Sequence, residues 1–238
     1  MSTQANTLSV VIPVLGDTDA VLKLVNTLAN MPARPDEIIV VDGGASDDCR
    51  TCCKETGVHY LASEPGRGRQ LAAGARRASG KWLWFLHADA EPDLDSAEAI
   101  RRSLANGRVG GWFRFRFANV DHWLARLLAG LVNLRCRFGI PYGDQGLFMS
   151  AAAYREAGGF PPDPLFEEVP LVKALRRLGR FEALPLSLGV SPRRWQRDGW
   201  LRRSLSNRQL ALAYMLGAPP AKLAQRYETK AADKATRC

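Results

Sequence analysis

The sequence predicts an α/β protein built on one doubly wound, mostly parallel sheet with helices on both faces. Short apolar runs alternate with segments of helical spacing through the first 92 residues, which is typical of successive β-α units. One of these runs, Trp82–Leu86, is apolar throughout, as expected of a strand covered on both faces. The chain has 238 residues, of which 46% are hydrophobic, and no linker interrupts it, so we expect one domain with one core.

The first half of the chain supplies the parallel part of the predicted sheet. Its strands are runs rich in β-branched or aromatic residues, at Leu8–Pro13, Glu37–Val41, Val58–Leu61 and Trp82–Leu86. Helices are predicted between them, at Thr18–Met31, from Ser46 to about Thr56, and at Gly66–Ala78. Ser46 is a suitable N-cap, and Gly74 with its neighbouring alanines suits close packing on a sheet.

The second half of the chain is predicted to continue the alternation less regularly. A helix at Ser96–Asn106, capped by Asp95, is followed by a strand at Gly110–Phe117 with one face on the core. The remaining predicted elements are an amphipathic helix at Asp121–Arg137, a strand at Leu147–Met149, a helix at Leu171–Leu178, an edge strand at Phe181–Leu188, and two helices at Gly199–Gly217 and Pro219–Tyr227.

Positive charge is concentrated at the end of the chain. The net charge is +9, and residues 193–238 hold eleven Lys or Arg and three Asp or Glu, so eight of the nine charges lie there. A basic surface confined to the C-terminal helices would suit nucleic acid, anionic lipid or a diphosphate. Within 199–217 leucines and arginines are mixed, which is typical of an interfacial helix. The alternative is that the leucines pack on the sheet and the arginines face water.

Cysteine use and the N-terminal sequence predict a cytoplasmic protein. The chain has five cysteines, an odd number, with three crowded into 49–53, which is not the pattern of a disulfide framework. Cys49 and Cys52 could form half of a zinc site, but the chain offers no second close pair. The N-terminal residues MSTQANT lack the basic start and apolar run of a signal peptide, and no run of eighteen apolar residues occurs.

Asp89 is the first candidate for a ligand-binding residue. It follows the buried strand Trp82–Leu86, and in open α/β sheets ligands bind just outside the carboxyl ends of the strands. After the first strand stands Pro13-Val-Leu-Gly-Asp17 in place of the glycine-rich loop of a dinucleotide-binding fold, and a P-loop is absent. A strand-end carboxylate that holds a divalent cation beside a diphosphate is the remaining way to bind phosphate.

Four segments, in this order and spacing, resemble the nucleotide-sugar half of the family 2 glycosyltransferases. They are Leu8–Pro13, Asp42-Gly-Gly-Ala-Ser-Asp47, Gly66-Arg-Gly-Arg-Gln70 and Leu86-His-Ala-Asp89. The resemblance implies a single GT-A domain at 8–227, with a nucleotide-sugar half at 8–92, an acceptor half at 93–227 and disordered ends at 1–7 and 228–238. It also implies transfer of a sugar from a nucleoside diphosphate, with a UDP-sugar as the expected donor.

The resemblance assigns donor-binding roles to particular residues. By its pattern the base and ribose are held by the backbone of Pro13 and Val14 and by the carboxylate of Asp42, whose alternative role is that of a turn residue. Arg67 matches the family's basic contact near the nucleotide, and a helix start with an arginine suits an anion.

His87-Ala88-Asp89 stands where the family usually has Asp-x-Asp, and it completes the implied donor site. The second acid of that motif is the expected metal ligand, here Asp89. An imidazole in place of the first acid weakens the case for Mg²⁺, whereas Mn²⁺ tolerates nitrogen nearby. We expect a divalent cation, Mn²⁺ or Mg²⁺, as cofactor.

The acceptor half carries three further candidate groups. Tyr142-Gly-Asp144-Gln145-Gly146 resembles the Gly-Asp-Gln-Gly stretch of a small, soluble, single-domain branch of the family, which places Asp144 and Gln145 in the sugar or acceptor pocket. Glu167 and Glu168 match the family's acidic pair, whose second member is the general base, although the helix dipole alone also favours acids at a helix start. By the same resemblance Glu167 is expected in the acceptor or sugar pocket. Arg194 and Trp195 suit either the diphosphate or a stacked surface pair.

The function expected from these residues is sugar transfer with inversion, because one base and direct displacement leave the acceptor oxygen opposite the departing diphosphate. The acceptor is unidentified, and a lipid-linked acceptor with peripheral membrane contact through 193–238 is one expectation. A sugar-phosphate nucleotidyltransferase would need a glycine-rich, arginine-containing loop after the first strand, which this chain lacks. A basic nucleic-acid-binding protein is the alternative from another class, but no motif of such a module occurs.

Overall fold

The computed structural model describes residues 6–225. The strands are β1 (Leu8–Val14), β2 (Glu37–Asp42), β3 (His59–Ala62), β4 (Trp82–Phe85), β5 (Glu91–Pro92), β6 (Gly110–Phe117), β7 (Phe148–Ser150) and β8 (Phe181–Val190). The helices are α1 (Thr18–Ala29), α2 (Asp47–Thr56), α3 (Arg67–Arg77), α4 (Ser96–Ala105), α5 (Trp123–Phe138), α6 (Ala151–Glu156), α7 (Glu168–Leu178), α8 (Arg193–Asp198) and α9 (Trp200–Met215). A 3-10 turn spans Gly143–Gln145, and residues 220–225 are helical.

All eight strands form one sheet, in the order β3-β2-β1-β4-β7-β6-β8-β5 among the described residues. The four strands of the first half pair in parallel. β7 runs antiparallel to both of its neighbours, β4 and β6, and β6 and β8 are again parallel. Because crossover helices cover both faces, the fold is the predicted doubly wound, mostly parallel α/β fold.

Local sequence accounts for the helices that connect the parallel strands. The Asp17 carboxylate accepts a hydrogen bond from the Ala20 amide at the start of α1, and the Ser46 hydroxyl accepts one from the Cys49 amide at the start of α2. In α3, a Cβ added to Gly74 would lie 2.3 Å from Cγ1 of Val11, so glycine lets this helix pack closely on β1. These features agree with the expectations from the sequence.

Two local predictions in the second half are wrong. The predicted edge strand at 181–188 is an inner strand, since Glu91 and Pro92 of β5 pair with Gly189 and Leu188 and occupy the edge instead. A two-residue strand ending in proline gives too short a pattern to predict, and proline suits an edge. Asp95 stands at the N-cap position of α4, but its side chain makes no capping hydrogen bond there.

The sheet has a hydrophobic core on each face. One contains Trp84, Phe113 and Phe148, and the other contains Phe85, Leu147 and Leu171, all buried.

No helix among the described residues has the length and the apolar content needed to cross a bilayer. Of the ends predicted to be disordered, residues 1–5 and all of 228–238 lie outside the described residues. The sheet brings the carboxyl ends of β1, β2 and β4 to one edge, where the candidate site lies.

Candidate active site

A cavity of about 420 Å³ lies at the carboxyl end of β4. Its walls come from the start of α3, the 3-10 turn, the start of α7 and the segment that runs from β8 into α9. The lining includes most of the charged and aromatic candidates from the sequence, together with several residues that were not predicted. The full lining is Asp17, Arg67, His87, Asp89, Tyr142, Gly143, Asp144, Leu165, Phe166, Glu168, Val190, Ser191, Arg193, Arg194, Trp195, Arg197, Arg203, Asn207 and Leu210.

The loop after β4 supplies His87 and Asp89 to the cavity. The Nε2 atom of His87 is buried, and no described residue forms a hydrogen bond with it. Burial, with help from the positive charges of Arg67 and Arg194, lowers the pKa of His87 to about 3, so its imidazole is neutral. Asp89 is exposed on the cavity wall, where a ligand can reach its carboxylate.

The 3-10 turn Gly143–Gln145 packs closely against His87. A Cβ added to Gly143 would lie 3.1 Å from Nε2 of His87. In the same turn, Oδ1 of Asp144 is buried and lacks a hydrogen-bond partner within residues 6–225. Burial raises the pKa of Asp144, although the guanidinium groups of Arg135 and Arg67 act in the opposite direction. A buried oxygen without a partner is costly, which indicates that this wall is shaped for a polar ligand.

Glu168, the first residue of α7, adds a second such oxygen. The backbone amide of Gly143 donates a hydrogen bond of 3.4 Å to its Oε1, while Oε2 is buried and has no partner in the described part of the chain. Burial, followed by the neighbouring Glu167, raises the pKa of Glu168 to about 8. A carboxyl group with a pKa near neutrality can exchange a proton with a bound hydroxyl group.

The backbone before Glu168 is strained in a way that fixes the start of α7. Phe166 has a φ of 63°, in the left-handed region that residues other than glycine seldom adopt. Its ring is held between Tyr142, at a centroid distance of 5.7 Å, and Tyr214, at 4.7 Å. Such strain persists only where the surroundings enforce it, and here it immediately precedes the acidic pair.

Glu167 is buried and is not on the cavity wall, and it forms an ion pair with Arg67. Both carboxylate oxygens accept hydrogen bonds from the Arg67 guanidinium group, and the Nη2 to Oε2 distance is 3.3 Å. Glu167 is 0% exposed, which corrects the expectation that it lies in the acceptor or sugar pocket. The first turn of α3 lies close to the loop that precedes α7. A Cβ added to Gly68 would be only 2.3 Å from the carbonyl oxygen of Pro161 in that loop.

Arg194 and Trp195 reach the cavity on α8. The Trp195 ring contacts the ring of Phe117 edge-on, at 4.9 Å between centroids, and its Nε1 donates a hydrogen bond of 3.2 Å to the hydroxyl of Ser204. Trp195 is thus fixed by packing, with part of its ring on the cavity wall. Arg194 is exposed next to it, where its positive charge acts on His87.

Besides Glu167, five of the sequence candidates are not on the wall of this cavity. Pro13 and Val14 are buried, and the Val14 carbonyl accepts hydrogen bonds from the Gly43 amide and from Nε2 of Gln70. Asp42 is buried in its own turn and Ala88 lies on a neighbouring cavity of about 530 Å³. Gln145 is wholly buried, bonded to Cys136, Tyr142 and Phe113, which corrects the expectation that it lines the pocket.

Sequence reasoning missed the wall formed by α9. Arg203, Asn207 and Leu210 line the cavity at a spacing of four and three residues, so they share one face of that helix. Arg203 is buried and its guanidinium group is 3.3 Å from the carboxylate of Asp198. The spacing of Arg203, Asn207 and Leu210 was the available signal in the sequence, but the mixed composition of this helix obscured it.

The residues described could hold a divalent cation only with help from a ligand. No group of three His, Cys, Asp or Glu side chains within residues 6–225 is arranged to hold a metal ion. Asp89 nevertheless offers an exposed carboxylate, next to the neutral imidazole of His87. This arrangement fits an ion that takes one protein oxygen and completes its coordination with oxygens of a bound diphosphate and water.

Solved structures with the same fold include glucosyl-3-phosphoglycerate synthase from Mycobacterium tuberculosis. Its complex with Mn²⁺, UDP and glucosyl-3-phosphoglycerate matches with a TM-score of 0.57 and 22% identity, over 78% of this chain and 71% of that protein. Its complex with Mn²⁺ and UDP-glucose gives 0.57 and 21%, over 78% and 70%. These matches confirm the GT-A fold.

Sequence comparison gives the family. Two curated relatives, uncharacterized glycosyltransferases from two strains of Mycobacterium tuberculosis, are 38% identical over 121 residues, which is 48% of this chain and 46% of each relative. The chain thus spans about half the length of the curated relatives it matches. The family model described as glycosyl transferase family 2 matches residues 9–157, more than half of the chain, and favours neither the nucleotidyltransferase nor the nucleic-acid-binding alternative. The chain belongs to the family 2 glycosyltransferases.

Proposed function

We propose that this protein transfers a sugar from a nucleoside diphosphate, with UDP as the expected nucleotide, to an acceptor hydroxyl group with inversion at the anomeric carbon. One observation carries the proposal. Three buried polar atoms without partners among the described residues, Nε2 of His87, Oδ1 of Asp144 and Oε2 of Glu168, belong to residues that line one cavity, and Asp89 lines the same cavity. Family membership and the UDP complexes of glucosyl-3-phosphoglycerate synthase support this choice of donor.

Glu168 is the proposed general base. Its raised pKa makes the ionised form a strong enough base to take the proton of an acceptor hydroxyl, while a fraction of the molecules is ionised near neutral pH. The acceptor oxygen attacks the anomeric carbon, the bond from that carbon to the diphosphate oxygen breaks, and Glu168 retains the proton. Direct displacement with one base gives inversion.

The other cavity residues are proposed to hold and orient the donor. Asp144 and His87 accept hydrogen bonds from sugar hydroxyl groups, because each presents a buried acceptor atom. Arg194 and Trp195 lie beside the diphosphate, and Arg67, held by Glu167, contributes positive charge at the start of α3. Pro13, Val14 and Asp42 remain the predicted base and ribose contacts, and Ala88 remains a predicted contact of the nucleotide sugar.

Asp89 is proposed to hold the divalent cation, Mn²⁺ or Mg²⁺, together with the diphosphate. When bound, such an ion neutralises charge that develops on the departing diphosphate. The complexes of glucosyl-3-phosphoglycerate synthase with Mn²⁺ and UDP support the assignment. A lipid-linked acceptor is proposed as well, since the basic helices α8 and α9 border the cavity and suit an anionic surface.

The experiment that tests the donor site is calorimetric titration with UDP-sugars in the presence of Mn²⁺ or EDTA. For wild type we expect Mn²⁺ to tighten binding, and for Asp89→Asn we expect Mn²⁺ to have no effect while the thermal unfolding midpoint is unchanged. Asp48→Asn, which neutralises an exposed carboxylate on α2, is the matched control. Metal-dependent binding that survives in Asp89→Asn would overturn the assignment of Asp89.

A further inference from the structure

Helix α5 has an apolar face turned toward solvent. Five large side chains on this face are exposed, at a spacing of three or four residues: Trp123, Leu127, Leu131, Leu134 and Phe138. Trp123 is 74% exposed and Phe138 is 83% exposed. The opposite face, with Ala125, Leu128 and Cys136, is buried against the sheet. A helix of a globular domain normally keeps one side polar, as α1 does, so this second apolar face needs its own explanation.

Helix α9 has the same property. It and its C-cap residue expose five further large apolar side chains: Leu201, Leu205, Leu212, Met215 and Leu216. The sequence left open whether these leucines pack on the sheet and the arginines face water. The structure shows the reverse at several positions, because Leu201, Leu205 and Leu212 are exposed whereas Arg203 is buried.

The two helices are neighbours and both adjoin the candidate active site. His122, just before α5, contacts the Trp200 ring at the start of α9 with 4.6 Å between centroids, and Ile140, just after α5, packs in one cluster with Leu210 and Tyr214. The inner face of α9 lines the cavity through Arg203 and Asn207. Residues 142–144, which follow α5, line it as well.

The charges on these helices indicate what kind of surface they contact. Neither α5 nor α9 contains an Asp or Glu. Arg137 on α5 and Arg202 and Arg208 on α9 are exposed among the apolar side chains. Exposed Trp, Phe and Leu side chains mixed with arginine are typical of helices that lie in the interface of an anionic bilayer. A symmetric contact with a second copy would instead bring arginines together without acids on these helices to pair with them.

We propose that α5 and α9 form a docking surface for anionic membranes, with the active-site cavity at its border. The apolar side chains enter the headgroup region, while the arginines contact lipid phosphates. Docking would hold the cavity next to lipid-linked hydroxyl acceptors. That last step rests on the proposed glycosyltransferase function, whereas the docking itself does not.

The test is co-sedimentation of the full chain with vesicles of phosphatidylcholine alone or of phosphatidylcholine with phosphatidylglycerol, at low and high salt. Wild type is expected to sediment with the anionic vesicles at low salt. For the double variant Trp123→Ser, Phe138→Ser we expect the partition coefficient to fall about tenfold or more, since two exposed aromatic side chains no longer enter the bilayer. The control Leu22→Ser, Leu94→Ser removes two exposed leucines elsewhere and is expected to bind as wild type does.

A second pair of variants tests the charge. Arg202→Gln, Arg208→Gln is expected to lower binding to anionic vesicles about tenfold at low salt and to have little effect at high salt. Arg102→Gln, Arg155→Gln, which neutralises two exposed arginines outside these helices, is the control. Unchanged thermal midpoints would show that all variants are folded, because the replaced side chains are exposed.

The proposal is overturned if wild type stays in the supernatant with anionic vesicles at low salt, or if the aromatic double variant sediments like wild type. It is also overturned if light scattering shows that wild type is a dimer, the aromatic double variant is a monomer and neither binds vesicles. The surface formed by α5 and α9 would then contact a second copy of the chain. Calorimetric titration with UDP and Mn²⁺ separates the two proposals. If wild type binds UDP but not anionic vesicles, docking alone is refuted, and if wild type binds the vesicles but not UDP, the donor site alone is refuted.

Discussion

Two carboxylates at the same edge of the sheet are used in opposite ways. Asp42, at the end of β2, is buried with both oxygens occupied: Oδ1 accepts a hydrogen bond from the Gly44 amide at 2.8 Å and Oδ2 accepts one from the Ser46 amide at 2.7 Å. The hydroxyl of Tyr60 adds a third donor at 3.3 Å. Asp144, in the turn before β7, has a buried Oδ1 that no described residue contacts by a hydrogen bond.

This difference separates groups that shape the site from groups that are ready for a ligand. A carboxylate that accepts several N–H groups stabilises its own loop, and further contacts to a ligand are additional to that role. A buried oxygen without a partner costs free energy in the unbound protein, and a ligand that donates a hydrogen bond recovers this cost. Asp42 and the Glu167–Arg67 pair belong to the first group, and His87, Asp144 and Glu168 belong to the second.

The largest expected effect is on catalysis, in Glu168→Gln. An amide cannot accept the acceptor proton, so we expect the rate of sugar transfer to fall by about 10²–10⁴-fold while the affinity for the donor is kept. The rate is measured as nucleoside diphosphate release in the presence of acceptor, and donor affinity by calorimetry.

Glu167→Gln is the matched comparison, because it makes the same change at the adjacent position. Its carboxylate contacts Arg67 and is away from the cavity, so we expect lower stability and a smaller loss of transfer rate. A larger rate loss in Glu167→Gln than in Glu168→Gln would identify Glu167 as the base.

A smaller effect is expected on stability when Asp42 and Asp144 are each changed to Asn. In Asp42→Asn one oxygen that accepts a backbone N–H becomes an NH₂ group, and we expect a loss of about 1–3 kcal/mol in the free energy of unfolding. In Asp144→Asn a buried acid without a partner at Oδ1 becomes a neutral amide, and we expect the free energy of unfolding to stay the same or rise.

Urea unfolding of both variants beside wild type at one pH measures this difference, and donor affinity is the second readout. Asp144→Asn should weaken donor binding although it leaves the fold intact. If Asp144→Asn destabilises the protein as much as Asp42→Asn does, the Asp144 carboxylate is a structural group and the division between the two sets of residues is incorrect.

The parallel half of the fold was predictable because local signals there agree with one another. Apolar strands, the Ser46 cap and Gly74 all indicate the same β-α units, and the bounds of β1 to β4 and their helices lie within two residues of the predicted bounds. The second half depends on contacts between distant segments. The strand β7 was predicted, but its antiparallel pairing between β4 and β6 leaves no pattern in its own sequence, and β5 is too short at two residues to leave one.

The site was predictable where a residue's type alone indicates chemistry, as with Asp89, Asp144 and Glu168, all of which reach the cavity. Side-chain direction was not predictable. Gln145 and Glu167 are next to cavity residues in the sequence but point into the interior, since the turn and the helix start present neighbouring side chains to different sides. The wall formed by α9 was missed because its apolar and basic residues do not follow one clear face.

The last expected effect is a pH dependence of stability that belongs to Glu168. Its pKa is about 8 in the folded protein against an ordinary value of 4.5, so between these values the folded protein keeps a proton that the unfolded chain has lost. Stability therefore falls as pH rises through this window, by at most about 1.4 kcal/mol for each pH unit. Glu168→Gln carries no such proton. The free energy of unfolding of this variant, measured with urea and taken relative to wild type, should therefore rise by at least about 1 kcal/mol from about pH 5 to about pH 8. Glu55→Gln, at an exposed position, should keep a constant difference from wild type. An equally constant difference for Glu168→Gln would mean that Glu168 ionises normally, and the contrast with the satisfied carboxylate of Asp42 would then fail at the proposed general base.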